Sequence, residues 1–117
     1  MYQGENLKVT IEIRDSAENI IPKANVNSID VLIYDEANRK VHLKFSTGSK
    51  DGYGLISPVD GEEKYEFTIT SDQTENLPHG RYMISIKTNT DSSDFSEGLV
   101  DIEQAPLFEI VKTIKDA

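Results

Sequence analysis

Leu7-Lys8-Val9-Thr10-Ile11-Glu12-Ile13 alternates apolar and polar residues without a break, so four apolar side chains fall on one face of an extended chain. That is the pattern of a strand with one face buried and the other in water. It recurs at Ile29, Val31 and Ile33, and again at Val41, Leu43 and Phe45 against Lys40, His42 and Lys44. Tyr65, Phe67 and Ile69 alternate with Glu66, Thr68 and Thr70, and Tyr82, Ile84 and Ile86 alternate with Arg81, Ser85 and Lys87. A further strand is expected near Ser96 to Glu103, where Leu99, Val100 and Ile102 supply apolar surface and Gly98 is a candidate bulge or close-packing point.

The segments between these runs are rich in turn formers: Asp35-Glu36-Ala37-Asn38, the stretch from Gly48 to Gly54, Asp60-Gly61 and Leu77-Pro78-His79-Gly80. Such spacing suits short antiparallel connections, and no strand–helix alternation of the kind that builds a parallel sheet is present. About six or seven short strands then predict an all-β antiparallel sandwich of the immunoglobulin-like kind, or a small barrel. Residues 72–77 can form one helical turn, with Ser71 or Asp72 as N-cap and Glu75 placed for a capping interaction. After Pro106 the pattern is ambiguous. Leu107, Ile110, Val111 and Ile114 fit the helical template, whereas Phe108, Ile110 and Ile114, with the β-branched content of the segment, fit a strand. The chain is thus read as a sandwich domain over residues 1–106 and an apolar tail over residues 107–117.

The chain has 117 residues, room for one domain, and that length buries roughly two-thirds of its extended surface without disulfides or metals. With no Cys it has no disulfide framework, thiolate zinc site or cysteine nucleophile. Twelve Lys and Arg against 21 Asp and Glu leave a net charge of −9, which repels phosphate backbones and anionic lipid heads and argues against a nucleic-acid or membrane partner. No apolar run approaches the roughly 20 residues of a membrane span, and the N-terminal segment has no basic start followed by an apolar stretch, so no signal peptide is expected.

Chemistry-bearing patterns are sparse. There is no Gly-x-Ser-x-Gly elbow, and no phosphate cradle can be built from Gly48, Gly52, Gly54 and Gly61. His42 reads as a solvated histidine between Lys40 and Lys44, and His79 as a turn residue. Asp60, Glu62 and Glu63, like Asp91 and Asp94, are hard oxygen donors that calcium uses, but their spacing is not that of an EF-hand, and solvated hairpin tips account for them without an ion. No catalytic residue, metal ligand or cofactor is therefore predicted. Tyr53 and Phe95 sit among polar loop residues and are candidate contact residues, unless they cap the ends of the sandwich. The apolar tail residues Leu107, Phe108, Ile110, Val111 and Ile114 either pack on their own domain or dock on a partner. A carbohydrate- or other ligand-binding sandwich using Tyr53, Tyr65 or Phe95 is the alternative, and the lack of Trp counts against it.

One stretch carries a more specific likeness. Tyr65 to Thr74, then Leu77-Pro78-His79-Gly80-Arg81-Tyr82, Ile84 and Ile86, and Gly98-Leu99-Val100-Asp101-Ile102 resemble a pattern of small immunoglobulin-like sandwich proteins encoded with phage and prophage structural genes. In that pattern Thr74 and Leu77 anchor a turn between the sheets, Pro78 and Gly80 set it, and Tyr82 enters the next strand facing inward. The resemblance implies a structural or interaction role in a virion, tail, baseplate or head–tail assembly, not catalysis. Its partners would be other protein subunits, self or virion, and its location the virion or the host cytoplasm before assembly.

Overall fold

Strand pairing follows the alternation because each apolar face in the sequence has another to close against. The computed structural model describes residues 1–111. Its elements are β1 (Leu7–Ile11), β2 (Val26–Asp35), β3 (Val41–Ser46), β4 (Gly54–Leu55), β5 (Ser57–Pro58), β6 (Tyr65–Ile69), α1 (Ser71–Glu75), β7 (Gly80–Thr90) and β8 (Leu99–Ile110). A single 3-10 turn at Lys23–Asn25 leads into β2. The strands form two sheets, ordered β1-β6-β5 and β4-β3-β2-β7-β8, so the chain is an all-β sandwich. Among the described residues there are eight strand segments, six of five residues or more and two of only two residues. The pairing is not wholly antiparallel: β4 runs parallel to β3.

The core is made of the alternating positions. In the small sheet Val9 stands opposite Phe67 and Ile11 opposite Tyr65. In the large sheet Val31 pairs with Phe45 on one side and Ile86 on the other, and Ile33 with Leu43 and Ile84. Phe45 and Phe67 stack between the sheets with ring centroids 4.4 Å apart. Ile29, Val31, Ile33 and Ile69 are completely buried, and each such side chain contributes about 1.5–3 kcal/mol of burial free energy.

The chain crosses between the sheets at Ile56, which separates β4 from β5. Its N–H donates to the Ser46 carbonyl at 2.8 Å while its side chain is buried, so one residue is tied to the large sheet and the next enters the small one. Gly54 permits this approach: a Cβ there would lie 2.6 Å from the Phe45 ring.

The last crossing, from β6 to β7, is α1 and the turn after it. The expected helical turn is present, but its N-cap is Thr70, not Ser71 or Asp72. Gln73, not Glu75, completes the capping box, because the N3 position falls on Gln73 once the cap is at Thr70. Thr74 is fully buried; its hydroxyl donates to the Glu5 carbonyl at 2.7 Å and accepts from the Gly4 N–H at 3.1 Å. The Tyr82 hydroxyl donates to the Pro78 carbonyl at 2.7 Å, and its ring packs 5.3 Å from that of Phe108. Burial followed by the nearby Asp35 charge raises the Tyr82 pKa above its ordinary 10.0, so the hydroxyl stays a donor.

Past Pro106 the chain continues as strand to Ile110. β8 passes from residue 106 to 107 without interruption, with Leu107 as the extra residue of a bulge between the Tyr82–Phe108 and Met83–Pro106 pairs. Tyr82→Phe keeps the ring stack but leaves the Pro78 carbonyl without its donor. Urea unfolding is expected to show a loss of about 1–3 kcal/mol, and Thr74→Val a loss of at least that size, since two backbone groups then lose their partner.

Candidate functional site

β1 and β8 are the outermost strands of the two sheets, and they flank the same side of the sandwich. β1 pairs with β6 alone, and β8 pairs along its length with β7 alone. Beyond that ladder the N-terminus covers one end of β8: the Met1 ammonium donates to the Glu109 carbonyl at 2.7 Å, the Val111 N–H donates to the Met1 carbonyl at 2.9 Å, and Tyr2 bridges to Val111. From Leu99 to Pro106 the other edge of β8 has no backbone partner among the described residues, and every residue there is exposed. Leu99, Val100 and Ile102 are 46%, 50% and 57% exposed, a run of apolar surface on an unpaired strand edge.

The β7–β8 register explains how this edge is laid out. Thr90, Thr88, Ile86 and Ile84, which face inward on β7, stand opposite Leu99, Asp101, Glu103 and Ala105, so those four face inward on β8; Val100 and Ile102 face out. Gly98 starts the strand at a φ of +94°, where a Cβ would collide with the Asn89 side chain, as a close-packing glycine requires.

Between β1 and β8 lies a cleft of 460 Å³. Ile11, Ile13, Ile21 and Ile86 form its apolar floor, with Thr88 and Thr90 beside them, and Glu12, Asp15, Glu18, Asp101 and Glu103 stand along it. Among the described residues Arg14 is the one cation there, and it is already engaged: one guanidinium nitrogen meets the Glu12 carboxylate and another donates to the Glu18 carbonyl, both at 2.8 Å. A second groove, of 650 Å³, opens on the outer face beside the Leu107 bulge; Arg39 and Arg81 are balanced there by Glu36 and Glu109, so it selects no sign of charge.

The sequence-predicted residues are dispersed. Ile110 is 1% exposed in the core, Leu107 and Phe108 pack against it, and Val111 carries the bridge to Tyr2, so these four are committed to the parent sandwich. Ile114 lies outside the described residues. Tyr53 has the Lys44 and Lys50 ammonium groups 5.4 and 5.3 Å from its ring centroid, a cation–π arrangement that engages the ring. Tyr65 is buried, and Phe95, 55% exposed, sits in the turn between β7 and β8. Neither cleft is lined by Tyr53, Tyr65 or Phe95. Among the described residues no three His, Asp or Glu side chains converge as metal ligands, and Glu63 instead accepts a hydrogen bond from the Lys23 N–H.

His42 departs from its solvated reading. A register shift between Ile33 and Tyr34 makes it the extra residue of β3, which turns it against the Tyr82 ring, 5.5 Å away, and onto Asp35 at 2.8 Å. The His42 hydrogen bond, and after it the Asn38 N–H, hold the Asp35 carboxyl below its ordinary 3.8. The Tyr82 hydroxyl beside this pair is engaged with the Pro78 carbonyl. Burial pushes the Asp30 carboxyl up, but the Ser46 hydroxyl at 2.6 Å and Lys50 at 3.0 Å outweigh it and hold it below 3.8 as well.

Comparison with known proteins returns no matching family model, no matching curated protein and no matching solved structure. No helix among the described residues is long and apolar enough to cross a membrane.

Asp30 and Asp35 both titrate lower when folded than unfolded. Their contribution is complete above the ordinary carboxylate value and is lost as pH falls through the folded one. Melting temperature followed from about pH 6 to pH 2.5 is expected to fall steeply below about pH 4 in the wild type. An Asp30→Asn/Asp35→Asn variant should fall less steeply there, and an equal slope would show that neither group contributes.

Proposed function

We propose that the chain is a non-enzymatic, immunoglobulin-like interaction module of a phage or prophage virion, tail or baseplate assembly, which joins another protein through the free side of β8. The observation that carries this is the run from Leu99 to Pro106: an unpaired edge, exposed throughout, with Leu99, Val100 and Ile102 open to solvent. Exposed strand edges recruit further strands, and a protein that keeps one this long and this apolar has a use for it.

The immunoglobulin-like reading is supported by strand order. Immunoglobulin sandwiches place strands B, E and D in one sheet and C, F and G in the other, with C′ beside C in variable-type domains. β1-β6-β5 follows the B-E-D order, and β3-β2-β7-β8 follows C′-C-F-G. Tyr82 lies near the start of the F-like strand and bonds back to the carbonyl four residues upstream, as the tyrosine corner of such domains does. The phage context is supported by the resemblance of residues 65–102, whose connector residues Thr74, Leu77 and Tyr82 are all buried in the turn between the sheets.

Particles induced from a host carrying the gene provide the test. The chain is expected among their proteins by mass spectrometry, and a Val100→Lys/Ile102→Lys variant, expressed at the same level, should be depleted at least five-fold. A chain absent from the particles overturns the assembly reading; a variant retained at the wild-type level overturns the role of β8.

A further inference from the structure

The cleft between β1 and β8 has a floor without charge and a margin on which the carboxylates of Glu12, Asp15, Glu18, Asp101 and Glu103 outnumber the cation of Arg14. Thr88 and Thr90 line it at 7% and 6% exposure, and neither hydroxyl has a hydrogen-bond partner among the described residues. No side-chain nitrogen or oxygen among the described residues is buried without a partner, so these two hydroxyls keep their contact with the water of the cleft and are open to a group that enters it. Asp101 and Glu103 overhang the cleft from the inner face of β8 and form no ion pair with any described residue, while Arg14 is held by Glu12 and Glu18.

We propose that this cleft takes an extended cationic segment of another protein, added as a strand along the free edge of β8 over Leu99 to Ala105. This rests on the interaction reading above and specifies the chemistry of the partner. A strand placed there pairs with backbone N–H and C=O groups that β7 leaves free. Because side chains alternate with a period of two, its inward residues fall beside Asp101 and Glu103 and its outward residues beside Val100 and Ile102. The inward positions therefore take Lys or Arg, whose apolar stems lie over Ile21 and Ile86 while their heads reach the carboxylates and the Thr hydroxyls. The outward positions take β-branched residues. Pro106 lacks an N–H, and the bulge at Leu107 breaks the edge, so the ladder is about seven residues long.

The occupant is not a second copy. Two β8 strands paired antiparallel about Ile102 set Asp101 of each copy directly against Glu103 of the other, within chains that each carry a charge of −9. Nor is it an anionic ligand, which the same carboxylates repel.

The test uses the intact chain and capped nine-residue peptides of alternating Lys and Val, followed by fluorescence anisotropy. The alternating peptide is expected to bind at least ten-fold more tightly than an alternating Glu and Val peptide or a block peptide of the same Lys and Val content. Asp101→Asn/Glu103→Gln should weaken it at least ten-fold without lowering the melting temperature. N-methylation of alternate peptide residues removes the backbone donors on one edge and should abolish binding. Undiminished binding of the N-methylated peptide would reduce the contact to charge attraction and overturn strand addition. Equal binding of the Glu peptide would overturn the cationic preference, and concentration-dependent dimerisation lost in Val100→Lys/Ile102→Lys would seat a second copy on this edge instead. Peptides that fail to bind a chain whose incorporation into particles still depends on Val100 and Ile102 would sink this inference and leave the interaction reading standing.

Discussion

Between β6 and β7 the chain leaves the small sheet and enters the large one, and the polar backbone it carries through that passage is satisfied by Thr70, Thr74 and Tyr82. Thr70 and Gln73 cap the helical turn reciprocally, Thr74 takes the carbonyl and the N–H of the N-terminal segment, and Tyr82 closes the turn onto Pro78. None of the three can be replaced by an apolar residue without stranding a backbone group, and Thr74 and Tyr82 are buried. The passage fixes where β7 begins. β7 in turn sits between β2 and β8, so the register of the large sheet from β2 outward depends on it.

Position along the strands was legible wherever one face is apolar and the other polar. Leu7 to Ile11, Tyr65 to Ile69 and the inner positions of β2 and β7 all fall where alternation places them, because a one-residue slip would put every apolar side chain in water. What alternation could not carry was anything that breaks its period. His42 left the solvent side because an extra residue in β3 reversed its direction, and a bulge has no mark in a pattern of alternate residues. The two-residue strands on either side of Ile56 are too short to show any period, yet they carry the chain from the large sheet back to the small one. The residues after Pro106 fitted two templates equally, and for residues 107–110 the β7 partner decided between them, an interaction that no local reading contains.

The candidate site was hidden for the same reason. Its floor and margin come from the end of β1, the loop that follows it, and the far halves of β7 and β8, segments separated by about seventy residues of chain. Leu99, Val100 and Ile102 were recognisable as apolar strand residues, and their natural reading was core. Val100 and Ile102 are exposed because they face outward, and Leu99 because β8 is longer than the sheet facing it: β1 and β6 have five residues each, β7 has eleven and β8 twelve. Unequal strand length, not composition, leaves the inner face of β8 without a covering layer.

An uncovered edge has to discriminate, or it joins whatever strand it meets. Proteins often protect such edges with Lys or with inward-pointing charge, and here the protection is acidic. Asp101 and Glu103 lie on the inner face, where a paired copy would confront its own carboxylates, while Pro106 and the Leu107 bulge bound the accessible stretch at its far end. The same two carboxylates that make self-pairing unfavourable make a cationic strand favourable, so repulsion of the wrong partner and attraction of the right one reside in one pair of side chains. The net charge of −9 extends this beyond the edge, since it disfavours approach of any second copy at long range and steers a basic segment in. The apolar residues on the outer face can then remain exposed, because the strands that alternation alone would admit are sorted by the charges on the inner one.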